Sequence, residues 1–352
     1  MFQKLTPARN TRPFFALCVC TVLIGCWSQP QTLEFRGQTM GTHYSVVAVD
    51  ATGDLDPQAV QLAIDTTLVD VNAAMSNWDP DSEVSRFNNG GTEAVEISPE
   101  LAEVVALANE VHAASFGQFD ITLGPLIELW GFGDRTTQSA VPSDDEIAQA
   151  MDVVGQSLLL TMTRNPDTLQ KRDVRVSVFL SSIAKGYGID RVATTLRSLG
   201  LTDFMVEIGG DLITSGQNTR GTAWQIGIER PDQASHRVED VVPLSDMGMA
   251  TSGDYRNYFE KNGVRYSHII DATTGRPVTH QTASVTVLSE SAMAADAWAT
   301  ALLALGAELG LPVAEKNDLA VFFIVRDASI LATGFSTLAS SRFTEILASE
   351  ED

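Results

Sequence analysis

The chain has 352 residues and a formal net charge of −22, with 23 Lys and Arg against 45 Asp and Glu. At 44% hydrophobic and 19% charged residues it has a globular balance, which excludes a disordered chain. So negative a charge argues against a nucleic-acid partner, because binding there rests on cationic neutralisation of phosphates.

The chain opens on an address rather than on fold. Lys4, Arg9 and Arg12 form a basic region, and 14–25 is an apolar run too short for a spanning helix, which needs about 20 residues. It ends Leu23-Ile24-Gly25-Cys26, the pattern of a bacterial lipobox, so cleavage before Cys26 and lipidation of its thiol are expected. The plainer alternative is a simple signal peptide or a short anchor. Cys18, Cys20 and Cys26 are the chain's three cysteines, so the body after Cys26 has no thiol for a disulfide, a metal or a nucleophile. The expected location is outside the cytoplasm, lipid-anchored on the periplasmic face of the membrane.

A polar tether is expected over 26–34, then one unit over 35–345. A strand is predicted at 43–49. Asp56-Pro57 opens a helix carrying Val60, Ile64, Leu68, Val71 and Met75 on one face. Ser98-Pro99 caps a second, with Leu101, Val104, Val105, Ala108 and Val111. Ser143 and Glu146 form a capping box. Residues 157–180 alternate like a hairpin about Asn165-Pro166-Asp167, and 183–199 is helical up to Gly200. Short strands follow at 204–208, 211–215, 224–229 and 247–251. Asn262-Gly263 marks a hairpin between 255–260 and 264–270. A strand at 284–288, a helix at 290–305 and strands near 319–325 and 329–333 complete the chain. Strands in hairpins with helices inserted between them predict an α+β fold with mostly antiparallel sheets.

The common catalytic signatures are missing from the sequence: no Walker loop, no complete dinucleotide fingerprint, no nucleophile elbow and no His-Glu-x-x-His. Four less common constellations remain. Asp296 and Thr300 share one helix face, otherwise apolar. A carboxylate there is costly unless paired or metal-bound, and an acid plus an alcohol without His or Cys suits Mg²⁺. The same spacing equally describes a helix N-terminal Asp with a Thr bonded back to its own helix. Ser181-Ser182-Ile183-Ala184-Lys185-Gly186-Tyr187 joins strand to helix, where free N–H groups and Lys185 favour an anion; a capped helix with a surface lysine is the bland alternative. Glu207-Ile208-Gly209-Gly210-Asp211 permits close backbone approach or is a tight turn. His268, before the turn at Thr274-Gly275-Arg276-Pro277, is placed as a general base or as a buried, satisfied histidine.

Taken in order, several segments resemble the ApbE family of FAD:protein FMN transferases. They are Met40-Gly41-Thr42, Trp78 with Asp81-Ser82-Glu83, Gly117-Gln118-Phe119-Asp120-Ile121-Thr122, Leu129-Trp130-Gly131-Phe132-Gly133, and Ser182-Ile183-Ala184-Lys185-Gly186. Gly209-Gly210-Asp211, Ser252-Gly253-Asp254-Tyr255, Tyr266 to Asp271 and Ala295 to Leu302 complete the series. The resemblance spans about 35 to 306 and implies an ApbE-like, T-fold-related architecture. It implies Mg²⁺-dependent transfer of the FMN half of FAD onto a Thr or Ser hydroxyl of target flavoprotein subunits, with release of AMP. The metal ligands it implies are Asp296, Thr300 and the Ala184 carbonyl. Met40, Trp78, Gln118, Phe119, Asp120, Ser181, Tyr187 and Ile270 would line the FAD pocket. Lys185 would contact an anion, and His268 would be the base on the acceptor hydroxyl. Ala272 and Glu207 stand where the family often has Pro and Asn. Two other readings of the same site are a Mg²⁺-dependent FAD pyrophosphatase and a non-catalytic flavin-binding lipoprotein.

Overall fold

The computed structural model describes residues 30–133, 141–232, 237–330 and 333–349. The expected leader and Cys26 lie outside them.

The N-terminal half begins with β1 (Gln31–Thr39) and β2 (Thr42–Asp50), an antiparallel pair closed by Met40-Gly41, both at positive φ (49° and 70°). The tether expected over 26–34 therefore gives way to strand at Gln31: Leu33 and Phe35 alternate with exposed neighbours and are buried. Helix α1 (Pro57–Met75) is capped by the Asp56 carboxylate and buries the five residues of its predicted face. Next come α2 (Glu83–Asn89), β3 (Val95–Glu96), α3 (Pro99–Ala114), α4 (Gly124–Leu129), α5 (Asp144–Met151) and α6 (Gln156–Leu159). The pair β4 (Leu160–Thr163) and β5 (Thr168–Lys171) forms a small sheet with β3, and the alternation expected to run to 180 ends at Lys171 as strand.

The second half runs α7 (Ala184–Ser198), β6 (Asp203–Ile208), β7 (Asp211–Ser215), β8 (Trp224–Glu229), β9 (Val238–Leu244) and β10 (Gly248–Gly253). Three short pieces follow on the rim: β11 (Tyr258–Lys261), β12 (Val264–Ser267) and the two-residue β13 (Ile270–Asp271), which pairs with β14 (Arg276–Pro277). The chain closes with β15 (Thr282–Ser289), α8 (Ala292–Lys316), β16 (Ala320–Arg326), β17 (Phe335–Ala339) and α9 (Ser341–Ser349). The last strand thus lies C-terminal to the predicted 329–333, where residues 329 and 330 form a turn on Asp327.

Eight strands form one sheet in the order β1-β2-β6-β7-β10-β15-β16-β17, and each neighbouring pair is antiparallel. The α+β expectation is met. Helices α1, α7 and α8 cover one face, while the β8–β9 ribbon and α9 cover the other. Burial on both faces explains the unbroken apolar run of β16, in which Val321 and Phe323 face α8 while Ala320, Phe322 and Ile324 face the ribbon and α9.

Helix α8 is long and apolar enough to cross a membrane by composition, but it is the central core helix. It continues past the predicted end at 305 by kinking at Gly306 (φ 72°, ψ 165°). The Ala307 N–H finds a partner in Thr282 Oγ1 at 2.8 Å. A side chain at Gly306 would collide with the His280 ring.

Candidate active site

The first turns of α7 and α8 meet at the site, and two local features fix the meeting. Gly186 lies so close to α8 that an added Cβ would sit 2.3 Å from the Ala292 carbonyl oxygen. Asp190, one turn further along α7, caps α8: it accepts from Ser291 Oγ (2.7 Å), Ala292 N (2.9 Å) and Met293 N (3.0 Å). Burial raises the pKa of Asp190 against these three hydrogen bonds. This junction carries Lys185 to Asp296.

Asp296 is 3% exposed, so the metal and the pairing readings both require a partner for it. Its partner in this structure is the Lys185 ammonium, at 3.0 Å from Oδ1 and 3.1 Å from Oδ2, with the Gly186 N–H at 3.1 Å from Oδ2. Lys185 also lies 2.9 Å from Asp211 Oδ2, on β7. Burial opposes the lysine's charge, but the carboxylates of Asp211 and Asp296 outweigh it and hold its pKa above the ordinary range. Burial raises the pKa of Asp211; Lys185 opposes that rise and Asp296 reinforces it. The Lys185 expected as an anion contact is therefore an ion-pair centre between two acids here. Thr300, a turn on from Asp296, shares a hydrogen bond with Ser252 Oγ of β10 at 3.1 Å, so the back-bonded alternative does not describe it.

Across the opening, His268 follows β12. Its Nδ1 lies 2.9 Å from the Asn257 carbonyl, which also accepts the His268 backbone N–H at 3.1 Å. The carbonyl can only accept, so Nδ1 carries the proton and Nε2 keeps its lone pair. Burial lowers the His268 pKa, chiefly by disfavouring the charged ring. Phe132 meets the imidazole edge-on at 6.3 Å, in a row continued by Phe259, Tyr266 and Trp130. The loop carrying Asn257 is pinned at its base, where Asp254 accepts from Arg326 at 2.9 and 2.5 Å.

Between these walls lies a cavity of about 940 Å³, large enough for a dinucleotide. It brings together Trp78, Gln118, Phe119, Asp120, Ser181, Lys185, His268, Ile270, Asp296 and Thr300 of the expected set. Trp78 is 63% exposed and stands at the mouth, edge-on to Phe179. Gln118 donates to Asp271 Oδ1 and Thr273 Oγ1, both at 3.1 Å, which leaves its own buried Oε1 without a partner. Phe119 and Ile270 are almost wholly buried behind the wall, and Asp120 spends its carboxylate on Thr122 and on the Gln156 N–H. A side cavity of about 110 Å³ adds Met40 and Ala184.

Tyr187 is not among the residues lining either cavity; it is 2% exposed among core residues, and its buried hydroxyl has no partner. Asp211 and Ser252 are site residues that motif reading left without a role. Asp211 follows Gly209-Gly210 in a segment with a tight-turn alternative, Ser252 precedes Gly253 at the end of a strand, and the sheet brings both to α8.

Known proteins resemble this chain over most of its length. The family model described as "ApbE family" matches residues 40–323. An FAD:protein FMN transferase of Vibrio cholerae is 41% identical over 333 residues, 94% of this chain and 98% of that protein. One of Haemophilus influenzae is 40% identical over 341 residues, 96% of this chain and 97% of that protein. The solved flavin transferase ApbE from Vibrio cholerae superposes with a TM-score of 0.82 at 40% identity, covering 90% of this chain and 99% of that one.

Proposed function

The chain belongs to the ApbE family, and we propose that it transfers the FMN part of FAD to a Ser or Thr hydroxyl of an acceptor flavoprotein, releasing AMP. One observation carries this reading: a single cavity sets an imidazole with a free, unprotonated Nε2 opposite a cluster of buried oxygen donors.

The oxygen donors suit a hard divalent cation. Asp296 and Thr300 present a carboxylate and a hydroxyl one turn apart, with Asp211 beside them and Ala184 at the start of α7. Among the described residues no group of three or more His, Cys, Asp or Glu is placed to hold a metal ion, so a site here draws on a carboxylate together with hydroxyl and carbonyl oxygens. We assign Mg²⁺ to Asp296, Thr300 and the Ala184 carbonyl; when bound there it neutralises charge on the diphosphate.

The chain's own residues do the rest. The unpartnered Gln118 Oε1 accepts a hydrogen bond from an N–H of the flavin or the adenine. Trp78 and Met40 supply apolar surface at the mouth and in the side cavity. His268 Nε2 takes the proton of the acceptor hydroxyl as its oxygen bonds to the FMN phosphorus. The bond from that phosphorus to the bridging oxygen breaks, and the oxygen leaves on AMP. The Asn257 carbonyl holds the ring in the tautomer this requires.

The basic, apolar and Gly-Cys pattern of the first 26 residues supports export and a lipid anchor at Cys26, facing the periplasm. The test of function is direct: incubate the protein with FAD, Mg²⁺ and an acceptor fragment bearing a Ser or Thr motif. Covalent flavin fluorescence on the acceptor with stoichiometric AMP is expected. FMN and AMP free in solution, with several acceptors unlabelled, would make it a pyrophosphatase; binding without AMP would make it a flavin carrier.

A further inference from the structure

We propose that Lys185 is a tethered counter-cation that closes the divalent-ion site of the nucleotide-free protein, so that the metal enters only together with a diphosphate. The inference rests on the assignment of a divalent cation to Asp296 and Thr300.

The Lys185 ammonium occupies the one carboxylate among the proposed metal ligands. It lies 3.0 and 3.1 Å from the two oxygens of Asp296 and 2.9 Å from Asp211 Oδ2. The carboxylates are fixed by the backbone: Gly186 N–H holds Asp296 and Thr251 N–H holds Asp211, each at 3.1 Å. Their side chains are 4% and 5% exposed, against 28% for Lys185. The lysine, on its flexible four-carbon stem, is thus the part free to move.

Charge decides the order of events. Two acids and one ammonium leave the cluster at net −1. A dication entering alone meets an ammonium already seated on its ligand and must drive that charge off Asp296, leaving it one carboxylate, Asp211, in place of two. A diphosphate brings negative oxygens that take up both the ion and the released ammonium. Linkage then requires the metal to tighten nucleotide binding by the factor with which the nucleotide tightens metal binding.

The test follows Mn²⁺ alone by the loss of its free-ion electron paramagnetic resonance signal. Wild type without nucleotide should bind Mn²⁺ weakly. Lys185→Met and Lys185→Gln should bind it at least about tenfold more tightly, because the repelling charge is gone. Lys185→Arg, which keeps the charge, should stay weak. The glutamine variant retains donors toward both acids and guards against a folding failure, which a thermal melt would show.

A second arm uses wild type alone. Mg²⁺ should raise FAD affinity at least about tenfold, read by flavin fluorescence before turnover. Mg²⁺ without effect on FAD affinity would remove the metal assignment itself. Mg²⁺ that strengthens FAD binding while nucleotide-free wild type binds Mn²⁺ as tightly as the neutral variants would leave that assignment standing and overturn the role of Lys185.

Discussion

The residue with the sharpest chemical consequence is His268. Its pKa is lowered by burial, so the ring is neutral at pH 7 and keeps Nε2 available. A base with a lowered pKa stays active as pH falls, and activity is lost only when pH drops through that lowered value. The acid limb of the pH–rate profile for transfer should therefore lie below about 6.5, the ordinary imidazole value. A midpoint above it would mean that another group limits the rate. His268→Ala should slow transfer by about 10²- to 10⁴-fold while FAD still binds. A parallel loss of FAD affinity, measured by flavin fluorescence, would make the ring a wall of the pocket rather than the base. Asp296 has a different signature. Asp296→Ala leaves Lys185 with Asp211 alone and removes one of the three proposed metal ligands. Transfer should fall by roughly 100-fold or more, and added Mg²⁺ should no longer change FAD affinity. An unaltered response to Mg²⁺ would show that the ion sits elsewhere.

At the scale of elements, the site depends on how α7 crosses α8. Asp190 supplies three hydrogen bonds to the start of α8, and Asp190→Ala should cost about 1–2 kcal/mol of stability, as for the loss of a helix cap. Because α8 carries Asp296 and Thr300, the same variant should lose transfer activity at temperatures where it is fully folded. Circular dichroism and the transfer assay together separate the two effects. Much of this architecture was legible in the sequence. The capping of α1 and α3, the Ser143 box and the hairpin at Asn262-Gly263 are local patterns, and local interactions realise them. What escaped was non-local. The β1 strand read as a tether because only Leu33 and Phe35 mark its inner face, and its pairing with β2 is what orders it. The pairing of Lys185 with Asp296 spans 111 positions, and no spacing within a helix announces it.

At the scale of the whole molecule, the acidic balance acts on the approach of the substrate. FAD brings a negatively charged diphosphate to a chain of net charge −22. The cations on the cavity wall offer it little compensation at a distance: Arg256 is paired with Glu229, and Lys185 with Asp211 and Asp296. From afar the nucleotide therefore meets repulsion, and attraction begins only at contact, where the site's own hydrogen bonds and the proposed divalent ion take over. Salt screens the long-range part alone, since the Debye length shortens from about 20 Å at ~20 mM to about 7 Å at ~200 mM. Raising ionic strength across that range at fixed Mg²⁺ should accelerate FAD association by roughly two- to tenfold in stopped-flow flavin fluorescence, with the dissociation rate little changed. Nucleotide enzymes with basic entrances behave in the opposite way, because there salt weakens steering. An association rate that falls with salt would show that the cavity presents a positive face to solvent despite its paired cations, and that the surplus of carboxylates is directed away from the mouth.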